Sequence, residues 1–316
     1  MTSERRGHEA SSVAVANLSS KTISVRVWLD PWSGGKNPPN ASHVTLRRRV
    51  FVATARSGYT PDALAEIDAS GVVTIPAGEA IRLWLDFSTG DIPGGTYTST
   101  LHMRSLTIAG QVIDLPVAWD VMNFQLPDES PLAFHVWAYE RPAFFDRSKV
   151  WQDLIAHRVN VWDLPLAQVQ YDVEGRIVVE DWSATEEILG RAPAGSWFFW
   201  SAAEMMVKPV EGAPAPGSPA WDRAFRAWLP RWIDGLAARC VAVDRHMNYI
   251  LDEPGIRGGP DVEEFIRIAS LFKSVDPRVR IFANAAAGGG ASNDHLDRLN
   301  KVVDVFDPIY SDPATS

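Results

Sequence analysis

The sequence predicts two domains of different architecture, an N-terminal antiparallel β-sandwich and a C-terminal (β/α)8 barrel that is incomplete, with about six of its eight units present. Up to about residue 125, short alternating segments are separated by turn residues, as in antiparallel sheets. After the linker-like segment LPDESP (126–131), strand-like runs alternate with helix-like runs, as in parallel βαβ units. The expected domains are therefore an immunoglobulin-like sandwich over 1–126 and a barrel over 131–316.

The strands of the first domain are predicted from apolar residues at every second position. In the segment IRLWLDF (81–87), the odd-numbered residues are all apolar, and two of the three residues between them are charged. This period of two fits a strand with one face on a core. Six or seven such segments in about 110 residues fit a β-sandwich. The basic run Arg47–Arg49 is interpreted as an exposed or edge strand protected by its charge.

The second domain could be an open doubly wound sheet or a barrel, and its strand ends favour the barrel. A doubly wound nucleotide-binding sheet has a glycine-rich loop after its first strand, but HVWAYERP stands there in this chain. The glycine cluster AAAGGGASND comes later and lacks the GxGxxG spacing. A barrel instead places polar and aromatic residues after many strands. Such residues in this chain are Trp137, Tyr139, Asp163, Trp200, Asp252, Glu253, Asn284, Asp307 and Tyr310.

A complete barrel takes about 250 residues, and fewer than that follow residue 130. Strands seven and eight are therefore predicted to be missing, which leaves unpaired edges on strands one and six. We expect the chain alone to be poorly soluble or to complete its barrel through another chain, for example as a dimer. The first residues, MTSERRGHEASS, contain no apolar core of a secretion signal, and both ends of the chain are expected to be truncated.

The composition argues against several classes of function. A net charge of −9 argues against nucleic acid and anionic membranes as main partners, and no apolar run approaches the length of a membrane span. The single cysteine, Cys240, can form no internal disulfide and is interpreted as a buried, inert thiol. His135 and His157 have no second ligand at metal-binding spacing, and no HxH, HExxH or CxxC motif occurs. We therefore expect neither a metal nor a cofactor.

The strongest chemical signal is the segment YILDEPG (249–255). An apolar strand ends in Asp252 and Glu253 and is broken by proline and glycine, which places both acids at the mouth of the barrel. Two adjacent carboxylates repel each other, which raises the pKa of one of them and creates a proton donor at neutral pH. Glycoside hydrolysis uses such a pair. The competing interpretation is a solvated strand end or a helix N-cap.

Four stretches, taken together, resemble glycoside hydrolase family 123 and the wider related set called domain of unknown function 4091. The segment YILDEPG resembles the catalytic fourth strand of that family. The segments 75–101, 170–182 and 302–311 resemble its sandwich hairpin, its acidic-glycine hairpin and its sixth strand. The resemblance covers about residues 12–316 and implies a β-sandwich followed by a TIM-type barrel.

The resemblance further implies a retaining β-N-acetylhexosaminidase, similar to a β-N-acetylgalactosaminidase, that acts on a glycan or glycoconjugate. Glu253 would match the general acid/base, and Asp252 would match the residue that orients and polarises the 2-acetamido group of the sugar. The acetamido oxygen is then the nucleophile, so an enzyme nucleophile on strand seven is not needed.

Other residues at the strand ends are candidates for sugar contacts. Tryptophan has a large flat apolar face on which a sugar ring can stack, although core packing is the more common role; Trp162 is expected in the core. The three tryptophans of the segment 220–239 recur at helical spacing and are interpreted as a packing stripe. The substrate-binding candidates are Trp137, Tyr139, Trp200, Asn284, Asp307 and Tyr310.

Two other functions stay open at this stage. One is a retaining β-glycosidase whose nucleophile lies on strand seven, absent from this chain; enzymes of that kind have Asn-Glu on strand four, one residue different from the Asp-Glu found here. The other is a non-catalytic protein that binds glycans or a partner. Cleavage of a sugar without the 2-acetamido group would favour the first, and binding without hydrolysis would favour the second.

Overall fold

A computed structural model shows that the chain divides into two compact units, Met1–Asp128 and Glu129–Ser316. The first unit consists of β-strands, and the second combines five helices with shorter strands in the described ranges. The structure describes residues 1–55, 58–127, 130–136, 147–172, 174, 176–201, 218–254, 259–284, 286–287, 293–307 and 309–310.

The described residues of the first unit form nine strands. They are β1 (Thr2–Arg5), β2 (His8–Ala16), β3 (Ile23–Leu29), β4 (Val44–Thr54), β5 (Gly58–Glu66), β6 (Val72–Ile75), β7 (Ala80–Ser88), β8 (Gly95–Ser105) and β9 (Val112–Gln125). One sheet has the order β1-β9-β8-β3-β6, and the other has the order β2-β7-β4-β5. A short 3-10 helix, Ala41–His43, precedes β4.

The two sheets share one apolar core, as expected of a sandwich. Leu83, Leu85 and Phe87 of β7 are buried, while the residues between them are half-buried, so the alternation predicted for this strand is confirmed. Phe87 meets Trp119 of the other sheet with ring centroids 4.9 Å apart. Neither aromatic ring has any exposed surface. Burial of these faces is what holds the sheets together.

Strand β1 is missing from the sequence prediction because its residues, TSER, have no apolar pattern. It forms by pairing parallel to β9. The indole Nε1 of Trp119 donates a hydrogen bond of 2.6 Å to the buried Ser3 hydroxyl, and the amino terminus of Met1 donates to the Ala118 carbonyl at 3.0 Å. Both hydrogen bonds join residues that are far apart in the chain, so no local sequence pattern predicts them. They fix the position of β1. The basic run Arg47–Arg49 lies on β4, which is an interior strand of its sheet rather than an edge.

The second unit alternates helices and strands, as predicted. The helices are α1 (Arg147–Ala156), α2 (Ser183–Arg191), α3 (Pro219–Ala238), α4 (Gly259–Val275) and α5 (Asn293–Leu299). The strands are β10 (Val161–Asp163), β11 (Gln168–Tyr171), β12 (Ile177–Asp181), β13 (Trp197–Trp200), β14 (His246–Tyr249), β15 (Ile281–Ala283), β16 (Ala286–Ala287), β17 (Val305–Phe306) and β18 (Ile309–Tyr310). A 3-10 helix, Val243–Arg245, precedes β14.

A five-stranded parallel sheet forms the centre of this unit. Its strand order, β10-β13-β14-β15-β17, follows the order of the chain, and His135 forms a parallel bridge with Val161 on the other side of β10. A doubly wound sheet reverses its strand order at a switch point, and the described strands show no such reversal. The order is the one that a barrel requires, but closure of the sheet into a barrel stays a prediction.

The two faces of this parallel sheet have different partners, because neighbouring side chains of a strand point to opposite sides. One face packs against the helices; there Trp162, Phe198 and Trp200 join the core of α3 and α4. The opposite face, which we call the inner face, has its own cluster. Its members are Val161, Phe199, Met247 and Phe282, with Tyr249 packed against them.

The tryptophan stripe of α3 packs as the sequence predicts. Trp228 and Trp232 are each 1 % exposed and lie in the helix-facing core. None of the described helices is long and apolar enough to cross a membrane. Cys240 differs from its prediction as a buried thiol, because it is exposed. It lies just after the end of α3 with a φ of 63°, where the chain turns away from the helix at the surface.

A buried histidine lies at the start of β14. His246 has no exposed surface, and its Nδ1 accepts a hydrogen bond of 3.2 Å from the Trp200 indole. An imidazole that accepts at Nδ1 is neutral and carries its proton on Nε2. Burial, followed by the nearby guanidinium groups of Arg280 and Arg278, lowers the pKa of His246 to about 4. The carboxylates of Asp244 and Asp276 act in the opposite direction but do not outweigh these effects.

The free energy of unfolding should therefore decrease as the pH falls through the range set by His246. Between pH 6.5 and 4, His246 is protonated in the unfolded chain but not in the folded chain. The loss of stability therefore begins as the pH falls below 6.5 and is complete near pH 4. We expect the wild type to lose about 2 to 3 kcal/mol more than His246→Gln between pH 7.5 and pH 4.5. Glutamine keeps an acceptor for Trp200 and does not titrate. Urea unfolding at both pH values measures the difference, and equal losses in the two proteins would contradict it.

Candidate active site

The polar residues of the second unit gather where parallel strands end. Asp163 is the last residue of β10, Tyr249 is the last residue of β14, and Asn284 follows β15 directly. Because the strands are parallel, their carboxyl ends lie at the same edge of the sheet. Asp252 and Glu253 follow β14 at this edge, as the sequence predicts.

One hydrogen-bond network joins the end of β14 to the end of β15. The hydroxyl of Tyr249 donates to Oδ1 of Asp252. The Nδ2 group of Asn284 donates to the same Oδ1 at 3.0 Å and to the Tyr249 hydroxyl at 3.3 Å. Two donors therefore orient one oxygen of the Asp252 carboxylate. Within the described part of the chain, the other oxygen, Oδ2, has no hydrogen-bond partner.

Tyr249 is held in its protonated form by this environment. Burial raises the pKa of the Tyr249 phenol well above its ordinary value, and the Asp252 carboxylate that accepts its proton raises it further. The Asn284 amide lowers it by a smaller amount. Tyr249 thus stays a hydrogen-bond donor at neutral pH, and it keeps the Asp252 carboxylate in one orientation.

The backbone of Glu253 is in the left-handed region, with a φ of 44°. For a residue with a side chain this conformation costs about 1 to 2 kcal/mol, and such residues cluster at functional sites. Oδ1 of Asn284 accepts a hydrogen bond of 3.0 Å from the Glu253 backbone amide. The same amide side chain therefore holds the backbone of Glu253 and the carboxylate of Asp252.

The structure changes the role expected of Asn284. The sequence predicts that Asn284 binds sugar hydroxyl groups. Asn284 is only 7 % exposed, and both ends of its amide are engaged by Tyr249, Asp252 and Glu253. It is a positioning residue, because its hydrogen-bonding capacity is used inside the protein.

The prediction that Trp200 stacks on a sugar is wrong. Trp200 is 1 % exposed and points to the helix face of the sheet, where it contacts Trp228, Trp232 and Phe272. Tyr249 lies on the opposite, inner face. The sequence located Trp200 at a strand end correctly but did not show on which side of the strand it lies.

The remaining candidates are only partly described. Asp307 is exposed after β17, and its backbone amide donates to the Ala283 carbonyl at 2.9 Å. Trp137 and Tyr139 lie outside the described residues, as does the side chain of Tyr310. These residues stay predictions.

Tyr249 is a site residue that the sequence pattern contains but does not mark as functional. The signal was present, since Tyr249 ends the strand three residues before Asp252. Its role depends on a contact with Asn284, 35 residues away in the chain, and that contact is visible only in the structure. Across the described ranges, no three His, Cys, Asp or Glu side chains gather closely enough to hold a metal ion.

Comparison with known proteins shows a fold and not a family. No protein-family model matches the chain, and no curated protein matches it. A solved structure of a family 123 glycoside hydrolase from Clostridium perfringens, from a study of glycolipid glycan hydrolysis, is similar with a TM-score of 0.66 and 12 % identity. The match covers 97 % of this chain and 62 % of that enzyme. At this identity, the similarity shows a shared fold.

A second glycoside hydrolase is also similar over most of the chain. It belongs to family 39 and comes from the gut symbiont Bacteroides cellulosilyticus, with a TM-score of 0.34 and 14 % identity over 95 % of this chain and 53 % of that enzyme. A TM-score this low does not show a shared fold.

Removal of the Asn284 side chain should loosen the site. We expect Asn284→Ala to lower the free energy of unfolding by about 1 to 3 kcal/mol, because it leaves the Glu253 amide without its acceptor and Asp252 without one of its two donors. Asn300→Ala, an exposed asparagine after α5, is the matched control and should change little. Urea unfolding at pH 7 measures both. Equal stabilities would show that Asn284 does not hold the segment.

Glycine at position 253 should relieve the strained backbone. We expect Glu253→Gly to raise the free energy of unfolding by about 0.5 to 1 kcal/mol, because glycine adopts a positive φ without steric cost. Glu187→Gly, in the middle of α2, should instead lower it by about 1 kcal/mol. Thermal unfolding of the two variants gives the comparison, and a destabilised Glu253→Gly would argue against strain at this position.

Proposed function

We propose that this protein is a glycoside hydrolase that acts on 2-acetamido sugars as a retaining β-N-acetylhexosaminidase. The observation that carries the proposal is the network of Tyr249, Asp252 and Asn284 at the carboxyl edge of the parallel sheet, with Glu253 beside it. The fold shared with a family 123 glycoside hydrolase supports the same function. The barrel architecture and the sugar specificity are part of this proposal.

The first step uses the substrate's own acetamido group as nucleophile. Its carbonyl oxygen attacks the anomeric carbon, and the bond from that carbon to the leaving-group oxygen breaks while Glu253 gives this oxygen a proton. The product is a cyclic oxazolinium ion. Oδ2 of Asp252, turned toward the substrate because Oδ1 is held by Tyr249 and Asn284, accepts the acetamido N–H and stabilises the positive charge that develops on that group.

The second step reverses the geometry of the first. Glu253, now a carboxylate, takes a proton from a water molecule that attacks the anomeric carbon on the face left by the leaving group. The bond between the anomeric carbon and the acetamido oxygen breaks, and the configuration is retained. Because the water takes the position that the leaving oxygen has vacated, one carboxyl group can serve both steps.

Loss of the Glu253 carboxyl should greatly slow turnover without loss of the fold. We expect Glu253→Gln to lower kcat on a nitrophenyl N-acetyl-β-D-galactosaminide by about a hundredfold to ten-thousandfold, with an unchanged unfolding midpoint. Glu187→Gln, an exposed glutamate of α2, is the control and should keep full activity. Release of nitrophenol measures the rates.

The 2-acetamido group itself provides the second arm of the test. The wild type should cleave the acetamido sugar and leave the corresponding plain β-galactoside intact, since the latter has no internal nucleophile. Full activity of Glu253→Gln, or equal cleavage of the two sugars, would overturn the proposal. Equal cleavage would instead favour an enzyme nucleophile.

A further inference from the structure

A second polar pair lies on the inner face, two strands away from Asp252. Nε2 of His135 lies 3.5 Å from Oδ1 of Asp163. His135 bridges to β10 from the neighbouring chain segment, and Asp163 is the last residue of β10. The side chain of Asp163 is 57 % exposed, whereas that of His135 is 15 % exposed. The imidazole therefore lies beneath an accessible carboxylate.

This pair faces the same side of the sheet as the Tyr249 network. Asp163 follows Val161 by two residues, so both side chains point to the inner face. The His135 and Phe199 rings are nearly perpendicular, with centroids 4.8 Å apart, and the Phe199 and Tyr249 ring centroids are 6.5 Å apart. One aromatic residue therefore separates the two polar groups.

The spacing suits one sugar ring. Strands β10 and β14 are two positions apart in the sheet, which places them about 10 Å apart. A pyranose ring with its hydroxyl groups and a hydrogen bond on each side spans a similar distance. If the 2-acetamido group is at Asp252, the opposite side of the ring presents the carbon atoms C4 and C5, with the hydroxyl groups on C4 and C6.

We propose that Asp163, which lies beside His135 on the inner face, binds the hydroxyl groups on C4 and C6 of the same sugar. A carboxylate is a pure acceptor with room for about four hydrogen bonds, and hydroxyl groups of a sugar can donate to it. Hydrogen bonds to a charged acceptor are stronger than neutral ones. Asp163 then discriminates between the two configurations at C4, which distinguish galacto from gluco sugars. This inference rests on the proposed function.

The test compares Asp163→Asn with a matched pair elsewhere in the unit. His157 and Asp153 form a similar contact on α1, with Nδ1 and Oδ1 3.6 Å apart, so Asp153→Asn removes the same charge outside the site. The substrates are nitrophenyl N-acetyl-β-D-galactosaminide, its gluco epimer, and a 4,6-dideoxy analogue that lacks both hydroxyl groups. Asp163→Ser, whose side chain is too short to reach, is the second variant if Asp163→Asn unfolds.

We expect Asp163→Asn to lower kcat/KM on the preferred epimer at least tenfold, chiefly through a higher KM, and to reduce the preference for that epimer. On the dideoxy analogue, wild type and Asp163→Asn should be equal, and a merely structural role would not spare this substrate. Asp153→Asn should match the wild type on all three. Unchanged kinetics in Asp163→Asn, beside an active wild type, would overturn the subsite alone. A wild type that cleaves none of the acetamido sugars would overturn the subsite together with the proposed function.

Discussion

The side-chain amide of Asn284 is the interaction on which the candidate site depends. It is held at the end of one parallel strand and reaches across to the end of the next, where it binds Tyr249, Asp252 and the backbone of Glu253. A left-handed glutamate is unfavourable by itself, and it persists when the surroundings determine its position. Here the nearly buried Asn284 side chain holds the Glu253 backbone in place, because loss of their hydrogen bond would leave a buried polar group without a partner.

The separation of the two faces of the parallel sheet is the second constraint. Large aromatic side chains occupy both faces, but they serve different purposes. On the helix face, Trp200 packs among the tryptophans of α3 and receives support from the neutral His246 beneath it. On the inner face, Phe199 and Tyr249 leave the carboxyl ends of the strands lined with Asp163 and Asp252. The apolar core on one side thus fixes the strands whose ends carry polar groups on the other.

These two constraints explain why so few residues are needed for a chemically specific arrangement. Tyr249 stays protonated because burial and the carboxylate beside it make its ionisation unfavourable. Tyr249 and Asn284 both donate to Oδ1 of Asp252, so the carboxylate of Asp252 presents one defined oxygen, Oδ2. Preorganisation of this kind is worth more than additional contacts, since the groups need no rearrangement when charge develops on a substrate.

The sequence by itself determined the elements and the position of the two acids. Its period of two predicted β7, its apolar periodicity predicted the tryptophan stripe of α3, and the break at Pro254 and Gly255 placed Asp252 and Glu253 at a strand end. Only the tertiary structure decided that β1 pairs with β9, that Trp200 is buried, and that Asn284 serves the protein rather than a ligand. Local patterns depend on neighbours in the chain, whereas these three outcomes depend on contacts between residues that are dozens of positions apart.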